Sequence, residues 1–402
     1  MPKILQINAT ANWGSTGKIA EQINIDAASR GWDCYMAYGR YCNNSNSVLL
    51  AVGNKFNVYN HYIENRLLDN EGLASRVPTK HLIEKIKEIR PDIVHLHNIH
   101  DHWLNYKILF EYLNTVDIPV VWTFHDFWAV TGHCAHFVSA NCEKWQDECG
   151  SCPLSKSLID RSRRNLLLKK QLFLANNNLH VVAVSEWVGG LVKKSFFSNN
   201  DIRVIPNGIN LNVFRPRQKS EVVALYEGKF IIMAVASQWK SGKGLDDYIA
   251  MSSLLDDDEL IVLVGVDENV KKSLPANIIG VARTNSQEEL ALLYSRADVV
   301  TSFSSAETFG LTIVEAFACG TPVVAYNNTA QATLVEENTG YLVPTGDFMA
   351  AYQAIQCIRH NGKDMYLDAC LRFVADSYDE RSYTEKYINL YNELLNEHKH
   401  LL

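Results

Sequence analysis

The stretch SSAETFGLTIVEAFACGTPVVA, residues 304–325, decides the fold of this chain. It holds two glutamates, Glu307 and Glu315, with seven residues between them. Apolar residues recur after the first glutamate with helical spacing and stop at Gly320, where a helix should end. The preceding run ADVVTSF, residues 297–303, is typical of a buried strand. The stretch therefore predicts a strand, a loop, a helix and a second strand.

The loop and the start of this predicted helix suit a phosphate group. Glu307 lies on the loop, and Glu315 lies about two turns further along, on the helix. Phe309 and Gly310 precede the first helical residue, Leu311. The first turn of a helix carries free backbone N–H groups and the positive end of the helix dipole, so this position favours an anion.

The rest of the chain repeats the same alternation of strands and helices. A length of 402 residues exceeds one ordinary core and predicts two domains. The predicted strands are residues 4–8, 93–97, 119–124, 181–185, 230–236, 260–264, 299–303 and 322–326, and the first predicted helix is residues 17–29. This order predicts an α/β fold with two doubly wound parallel sheets. Pro206 and Pro216 bracket the predicted linker.

Composition and charge narrow the class of protein. The chain is 47% hydrophobic and 21% charged, as expected for a globular protein. Residues 1–205 carry 22 Lys and Arg against 19 Asp and Glu, whereas the remainder carries 16 against 26. The acidic second half argues against a nucleic-acid partner.

The chain has no long apolar run and its start does not resemble a signal peptide, so we expect a cytoplasmic protein with reduced cysteines.

The stretch 304–325 resembles the signature of retaining GT-B glycosyltransferases of the glycosyltransferase 4 family. The resemblance implies two Rossmann-like domains facing across a cleft. Residues 1–205 would form the acceptor-side domain, joined by a helix within 383–402 that crosses back, and residues 206–382 would bind the nucleotide sugar. It also implies transfer of a hexose from a nucleoside-diphosphate sugar to a saccharide or polyprenyl-linked acceptor in surface polysaccharide synthesis.

The resemblance assigns roles to residues of the second half. Glu315 would accept hydrogen bonds from the ribose hydroxyls, and Glu307 would bind hydroxyls of the transferred sugar. Phe309, Gly310 and Leu311 would cradle the phosphates. Neither glutamate is expected to act as the nucleophile, because the enzymes of this family work mainly by positioning and electrostatic stabilisation.

A lysine completes the predicted donor site. Lys243, in SQWKSGKGLDDYI, matches the lysine of the family motif V-G-R-x5-K-G, and it would stabilise the leaving diphosphate. The arginine of that motif is replaced by Ser237, and Lys240 could supply the lost charge. With lysine and N–H groups available, no catalytic metal is expected.

Two features of the first half resemble parts of the family's cleft. Gly14 lies in WGSTGK, which fails the P-loop pattern and instead resembles the family's glycine-rich first loop. That loop approaches the donor phosphate and the acceptor, so the resemblance implies a donor-binding role for Gly14. The alternative is a simple helix start capped by Ser15 or Thr16. His125 ends the predicted strand VVWTFHD and matches the family's cleft histidine, with a catalytic role. A purely structural buried histidine is the alternative.

Two clusters could bind metal. The run from His95 to His102 resembles a metallohydrolase box, but Ile99 stands where a histidine belongs, so we expect no catalytic metal there. The second cluster has the spacing C-x7-C-x6-C-x2-C and resembles a segment of bacterial colanic-acid and capsule glycosyltransferases. It predicts a structural zinc, with free thiols or two disulfides as alternatives. Its members are Cys134, Cys142, Cys149 and Cys152.

Basic residues follow this cluster in a predicted helix with Leu166, Leu167, Leu168 and Phe173. They are Arg161, Arg163, Arg164, Lys169 and Lys170. They predict either a solvated helix face or a patch for anionic lipid, which would hold the protein at the inner face of the membrane.

Two other functions are compatible with the same fold. A nucleotide-sugar epimerase would need no acceptor. An inactive sugar-nucleotide-binding scaffold is favoured by Ser237 in place of the arginine. It is also favoured by residues 329–332, where the family often has a Gly-Gly turn followed by an acid.

Overall fold

A computed structural model describes residues 1–217, 226–239 and 242–401, with side chains up to residue 398. The chain divides into two compact units. The first comprises Met1–Pro206 and Tyr383–Leu402, and the second comprises Asn207–Ser382.

A parallel sheet forms the centre of the first unit. Among the described residues it has seven strands in the order β3-β2-β1-β4-β5-β6-β7. The strands are β1 (Lys3–Ile7), β2 (Asp33–Tyr38), β3 (Val48–Ala51), β4 (Ile93–Leu96), β5 (Val120–Phe124), β6 (Leu179–Ala183) and β7 (Ile202–Val204). The order reverses between β1 and β4, so this sheet has a topological switch point at the carboxyl ends of these strands, where open α/β folds bind ligands.

Helices connect these strands. They are α1 (Gly14–Ser29), α2 (Lys55–Leu68), α3 (Arg76–Ile89), α4 (Tyr106–Leu113), α5 (Ser162–Leu174) and α6 (Glu186–Val192), with short 3-10 turns at Trp128–Val130, Val138–Ala140 and Lys144–Gln146. The core strands are mostly apolar because both faces of the sheet are covered, and their buried polar residues are Gln6, His95 and Thr123.

The second unit repeats the design. Among its described residues the sheet has six parallel strands in the order β10-β9-β8-β11-β12-β13. They are β8 (Phe230–Val235), β9 (Glu259–Val264), β10 (Ile278–Val281), β11 (Val299–Ser302), β12 (Val323–Tyr326) and β13 (Gly340–Val343). The helices are α7 (Leu245–Met251), α8 (Glu268–Lys272), α9 (Gln287–Arg296), α10 (Leu311–Ala318), α11 (Phe348–Asn361) and α12 (Asp364–Ser377), with 3-10 turns at Ser252–Leu254 and Ala330–Thr333.

The predicted fold class is confirmed: both sheets are parallel and doubly wound. The sequence pattern missed the four edge strands, β3, β7, β10 and β13, and also the interior strand β2. Strand β3 has no fully buried residue, so it lacks the apolar run that marks the central strands.

The last helix, α13 (Glu380–Leu401), supplies three buried tyrosines to the first unit, and two of them bond residues of its sheet. The Tyr391 hydroxyl lies 2.6 Å from Nδ1 of His95, and the Tyr387 hydroxyl lies 2.9 Å from Oγ1 of Thr123. Both partners lie on the central strands β4 and β5. Across the described residues, none of the helices combines the length and apolar character that a membrane span requires.

Candidate functional site

The loop that carries Glu307 connects strand β11 to helix α10, as the sequence spacing predicts. Gly310 precedes the helix with a φ of 108°, and a Cβ there would approach Cδ1 of Leu334 to 2.9 Å. Only glycine fits this position without strain. The neighbouring Phe309 is buried, and it anchors the loop so that the first turn of α10, from Leu311 on, is held in a fixed place.

The structure brings Lys243 and Glu307 into direct contact. Nζ of Lys243 donates to Oε1 of Glu307 at 2.5 Å. Both side chains are partly exposed, at 34% and 22%, so a ligand can reach them. The backbone N–H of Glu307 also donates to Oγ1 of Thr329 at 3.0 Å. Two predicted donor-site residues, separated by 64 positions in sequence, therefore share one place at the end of β11.

Two glycines fix the loop that carries Lys243. Gly242 and Gly244 both have positive φ values, and a Cβ on Gly244 would lie 2.6 Å from the carbonyl oxygen of Phe303. The N–H of Ser305 donates to the carbonyl of Gly242 at 2.9 Å. This loop is thus tied to the segment that follows β11.

Two other residues, Ser237 and Lys240, belong to the stretch that resembles the family's lysine motif. Ser237 is exposed just after β8. Lys240 lies outside the described residues.

Glu315 has a partner that the sequence reasoning missed. The hydroxyl of Tyr294, a buried residue of α9, donates to Oε2 of Glu315 at 2.9 Å. Burial, and then the negative charge of Glu315, raise the pKa of Tyr294 well above its usual value, so it remains a donor. This bond orients the carboxylate. Tyr294 shares the buried face of α9 with Ala291, but no spacing in the sequence links it to Glu315.

The segment that departs from the family pattern has an unusual backbone. Thr329 has φ 48° and ψ −151°, a conformation that suits glycine and costs other residues of order 1 to 3 kcal/mol. Two residues on, the amide of Gln331 is fully buried: it donates to the carbonyl of Ser304 at 2.9 Å and accepts from Oγ of Ser302 at 2.8 Å. These bonds hold the segment against the glutamate loop.

In the first unit, Gly14 is the first residue of α1 and has a φ of 68°. No heavy atom lies within 4 Å of where its Cβ would be, so the space beside it is open. The residue at the helix cap is Trp13, with no side-chain cap bond, so the structure does not support the alternative of a helix start capped by Ser15 or Thr16. Gly17 packs more tightly, because a Cβ there would lie 2.6 Å from Oγ1 of Thr10.

His125 directly follows β5 and is part of a buried hydrogen-bonded chain. Nε2 of His97 lies 2.6 Å from the amide oxygen of Gln6, and Nδ1 of His97 lies 3.0 Å from Nε2 of His125. The Gln6 amide nitrogen donates to the carbonyl of Ala20, which fixes the orientation of the amide. His97 must therefore donate to Gln6 and accept from His125. Burial lowers the pKa of His125 to about 4, so at neutral pH its Nδ1 is an acceptor.

His95, on β4, uses its ring nitrogens differently: Nδ1 bonds Tyr391 and Nε2 bonds Thr123. Its ring centre is 4.0 Å from that of His97, so the two histidine rings lie side by side. Within the described residues, the compact groups of metal-ligand side chains are centred on His133 instead.

We expect this histidine group to make the first unit sensitive to acid. Burial lowers the pKa values of His95, His97 and His125 below 6.5, so the unfolded chain binds more protons and the free energy of unfolding falls as the pH drops below 6.5. Each histidine should remove about 1.4 kcal/mol between pH 7.5 and 5.5. Urea unfolding followed by tryptophan fluorescence measures this, because seven of the eight tryptophans lie in the first unit. The control is His360→Gln, which replaces an exposed histidine and should leave this pH dependence unchanged. An equal free energy of unfolding at pH 7.5 and pH 5.5 would contradict the prediction.

The four cysteines of the predicted zinc cluster are free thiols that line one small cavity of about 20 Å³. His133, which the sequence reasoning omitted, lines the same cavity.

The basic helix differs from the prediction at one position. Lys169 is buried, and its Nζ donates to the carbonyls of Trp128 at 2.6 Å and Thr131 at 3.0 Å. It therefore belongs to the core and not to a basic surface. Of the other cations, Arg161 is half-buried, whereas Arg163, Arg164 and Lys170 are exposed.

Two doubly wound parallel sheets define the class of GT-B glycosyltransferase folds. In the second unit, a lysine contacts a glutamate just before a helix that carries a second glutamate. Comparison with known proteins places the chain within this class. Residues 27–213 match Glycosyltransferase Family 4, and residues 229–361 match Glycosyl transferases group 1. The chain belongs to the glycosyltransferases built from these two domains.

Individual proteins resemble it over nearly the full length. "Putative colanic acid biosynthesis glycosyl transferase WcaC" of Escherichia coli K12 is 23% identical, covering 97% of this chain and all of its own. Sucrose-phosphate synthase from Thermosynechococcus elongatus has a TM-score of 0.75 at 18% identity, covering 99% of this chain and 100% of its own. Anabaena HepE, solved with UDP-glucose, has a TM-score of 0.64 at 17% identity, covering 97% and 99%.

Proposed function

We propose that this protein is a retaining glycosyltransferase that moves a hexose from a nucleoside-diphosphate sugar to a saccharide or polyprenyl-linked acceptor in surface polysaccharide synthesis. The likeness to WcaC over 97% of the chain supports the polysaccharide context. HepE, a structural neighbour, binds UDP-glucose, which makes UDP-sugars the first donors to examine.

The contact between Lys243 and Glu307 carries this proposal. It sets a cation and an acceptor-only carboxylate 2.5 Å apart, beside the start of α10. The leaving diphosphate requires the positive charge and the free N–H groups of the helix. The sugar hydroxyls require an acceptor such as Glu307. Glu315, oriented by Tyr294, provides a second acceptor for the ribose hydroxyls.

In the proposed reaction the bond between the sugar C1 and the phosphate oxygen breaks, and a bond from C1 to the acceptor oxygen forms on the same face. The acceptor proton passes to the departing phosphate oxygen. Lys243 and the N–H groups near Gly310 stabilise the charge that develops there. In the first unit we assign Gly14, which leaves open space beside the backbone, to donor binding. We assign His125, whose neutral ring can accept a hydrogen bond from a hydroxyl, to the sugar or the acceptor.

A thermal-shift panel of UDP-, GDP- and ADP-sugars tests the donor site. A true donor at 100 times its dissociation constant should stabilise the protein by about 2.7 kcal/mol. Product analysis with and without a saccharide acceptor then tests the reaction. An altered sugar formed without acceptor would indicate an epimerase, and binding without turnover would indicate a scaffold.

Turnover should survive brief exposure to EDTA, because lysine and N–H groups replace a catalytic metal in this proposal.

The acceptor could be attached to lipid at the inner face of the membrane. Exposed Arg163, Arg164 and Lys170, beside the exposed Leu167, favour such a peripheral contact. Co-sedimentation with vesicles containing phosphatidylglycerol tests it. If a variant with alanine at all three cationic positions bound these vesicles as well as the wild-type protein does, the contact would be contradicted.

A further inference from the structure

The segment that follows the first 3-10 turn of the first unit folds around a pair of thiols and a histidine. Sγ of Cys134 lies 3.6 Å from Sγ of Cys152, and Nε2 of His133 lies 3.2 Å from Sγ of Cys152. The ligand atoms of the three residues all lie within 4.8 Å of one another. Two sulfurs bound to one zinc at about 2.3 Å in tetrahedral geometry lie about 3.8 Å apart. The observed separation therefore fits a shared metal ion, whereas a disulfide needs about 2.05 Å.

The other nitrogen of His133 is held as in a metal site. Nδ1 lies 2.9 Å from Oδ1 of Asp69, which is only 2% exposed. Asp69 is fixed in turn, because the N–H of Arg161 donates to its carboxylate at 2.8 Å and the amide of Asn165 donates to its carbonyl at 2.8 Å. A histidine that binds metal through one nitrogen almost always donates the other to such a group, which fixes the ring orientation.

Among the described residues, the compact group holds only three ligand residues, so a fourth ligand would have to come from the rest of the same cavity. Both Cys142 and Cys149 line it. Cys149 stands three residues before Cys152, which is the C-x2-C spacing typical of two ligands of one zinc ion, whereas Cys142 stands ten residues before it. A tetrahedral site takes four ligands, so Cys142 remains outside it.

We propose a structural zinc site with His133, Cys134, Cys149 and Cys152 as ligands and Asp69 as the residue that positions His133. It differs from the four-cysteine set predicted by spacing, because His133 replaces Cys142. Mixed thiolate and imidazole ligands in tetrahedral geometry favour zinc, and the closed shell leaves no position for a substrate.

The site would fix the segment that follows His125. Within it, the N–H of Phe127 donates to the carbonyl of Ala135 at 3.0 Å, and Oγ1 of Thr131 donates to the carbonyl of Cys134 at 2.6 Å. The segment has little buried apolar surface between residues 139 and 161 apart from Trp145. A metal ion would replace the core that this segment lacks.

Elemental analysis of protein purified without added metal tests the site. We expect about one zinc per chain, and less than a tenth of a zinc would overturn the proposal. His133→Ala and Cys149→Ser should lose the metal, whereas Cys142→Ser and the exposed Cys357→Ser should retain it. Loss of zinc in Cys142→Ser together with retention in His133→Ala would restore the four-cysteine set and reject this one.

Two further measurements do not depend on the folding of these variants. In the wild-type protein, alkylation read by mass spectrometry should modify Cys142 readily. It should modify Cys134, Cys149 and Cys152 only after a zinc chelator is added, and equal protection of Cys142 would contradict the ligand set. Asp69→Asn should weaken zinc affinity by about 10- to 100-fold in chelator competition. Unchanged affinity would reject the positioning role of Asp69.

Discussion

Replacement of Lys243 by alanine should lower the turnover number by about 100- to 1000-fold, the loss seen when one group that stabilises developing charge is removed. The reason lies in the contact with Glu307 at 2.5 Å. Without the lysine, the carboxylate stays at the same place with no cation, and it repels the phosphates that carry negative charge in the transition state. The loss should therefore appear in turnover at saturating donor, and steady-state kinetics with the donor identified by thermal shift measures it.

Matched variants show whether the loss of turnover comes from the missing positive charge of Lys243 or from a general effect of replacing a lysine. Lys272→Ala removes an exposed lysine from α8 and should leave turnover unchanged. Glu307→Gln added to Lys243→Ala should recover part of the loss, because the uncompensated carboxylate is then neutral. If Lys243→Ala alone keeps full turnover, the phosphate role belongs elsewhere in the second unit.

Replacement of Glu315 by alanine should weaken binding of the nucleoside diphosphate by about 1.5 to 3 kcal/mol, or roughly 10- to 150-fold. A charged acceptor would be lost to the ribose hydroxyls, and the buried hydroxyl of Tyr294 would lose its partner. Isothermal calorimetry with the bare nucleoside diphosphate measures the change. The exposed Glu337→Ala serves as the control.

The tyrosine gives this assignment a second check. Tyr294→Phe leaves the carboxylate in place but frees its orientation, so it should weaken nucleotide binding by less than Glu315→Ala does. In the double variant the two effects should not add, because the tyrosine acts through the glutamate. Additive losses, or equal affinity in Glu315→Ala, would remove Glu315 from the nucleotide site.

The sequence predicted the central strands except β2, and the glutamate loop, because both depend on local patterns. The strand before Glu307 and the helix with Glu315 appear where apolar spacing puts them. The edge strand Val48–Ala51 was missed because it has no buried face. The side chain of Tyr294 was missed because its bond to Glu315 crosses from one helix to another.

Some of the missed features did leave a signal. Lys169 follows Leu166 by three residues and precedes Phe173 by four, so helical spacing alone puts it on the buried face of α5. Its charge directed the interpretation toward the surface instead. His133 stands beside Cys134, but nothing local to it indicates Asp69, which is 64 residues earlier in the chain.

The two tyrosines that α13 adds to the first sheet have a consequence for synthesis on the ribosome. The partners of Tyr387 and Tyr391, Thr123 and His95, are made early, but residues 207–382 must be translated before the tyrosines follow. At about 5 to 20 residues per second, that interval lasts roughly 10 to 35 s. For that time the positions that Tyr387 and Tyr391 occupy beside Thr123 and His95 stay unfilled. The last folding step of the first unit therefore has to follow the translation of the entire second unit.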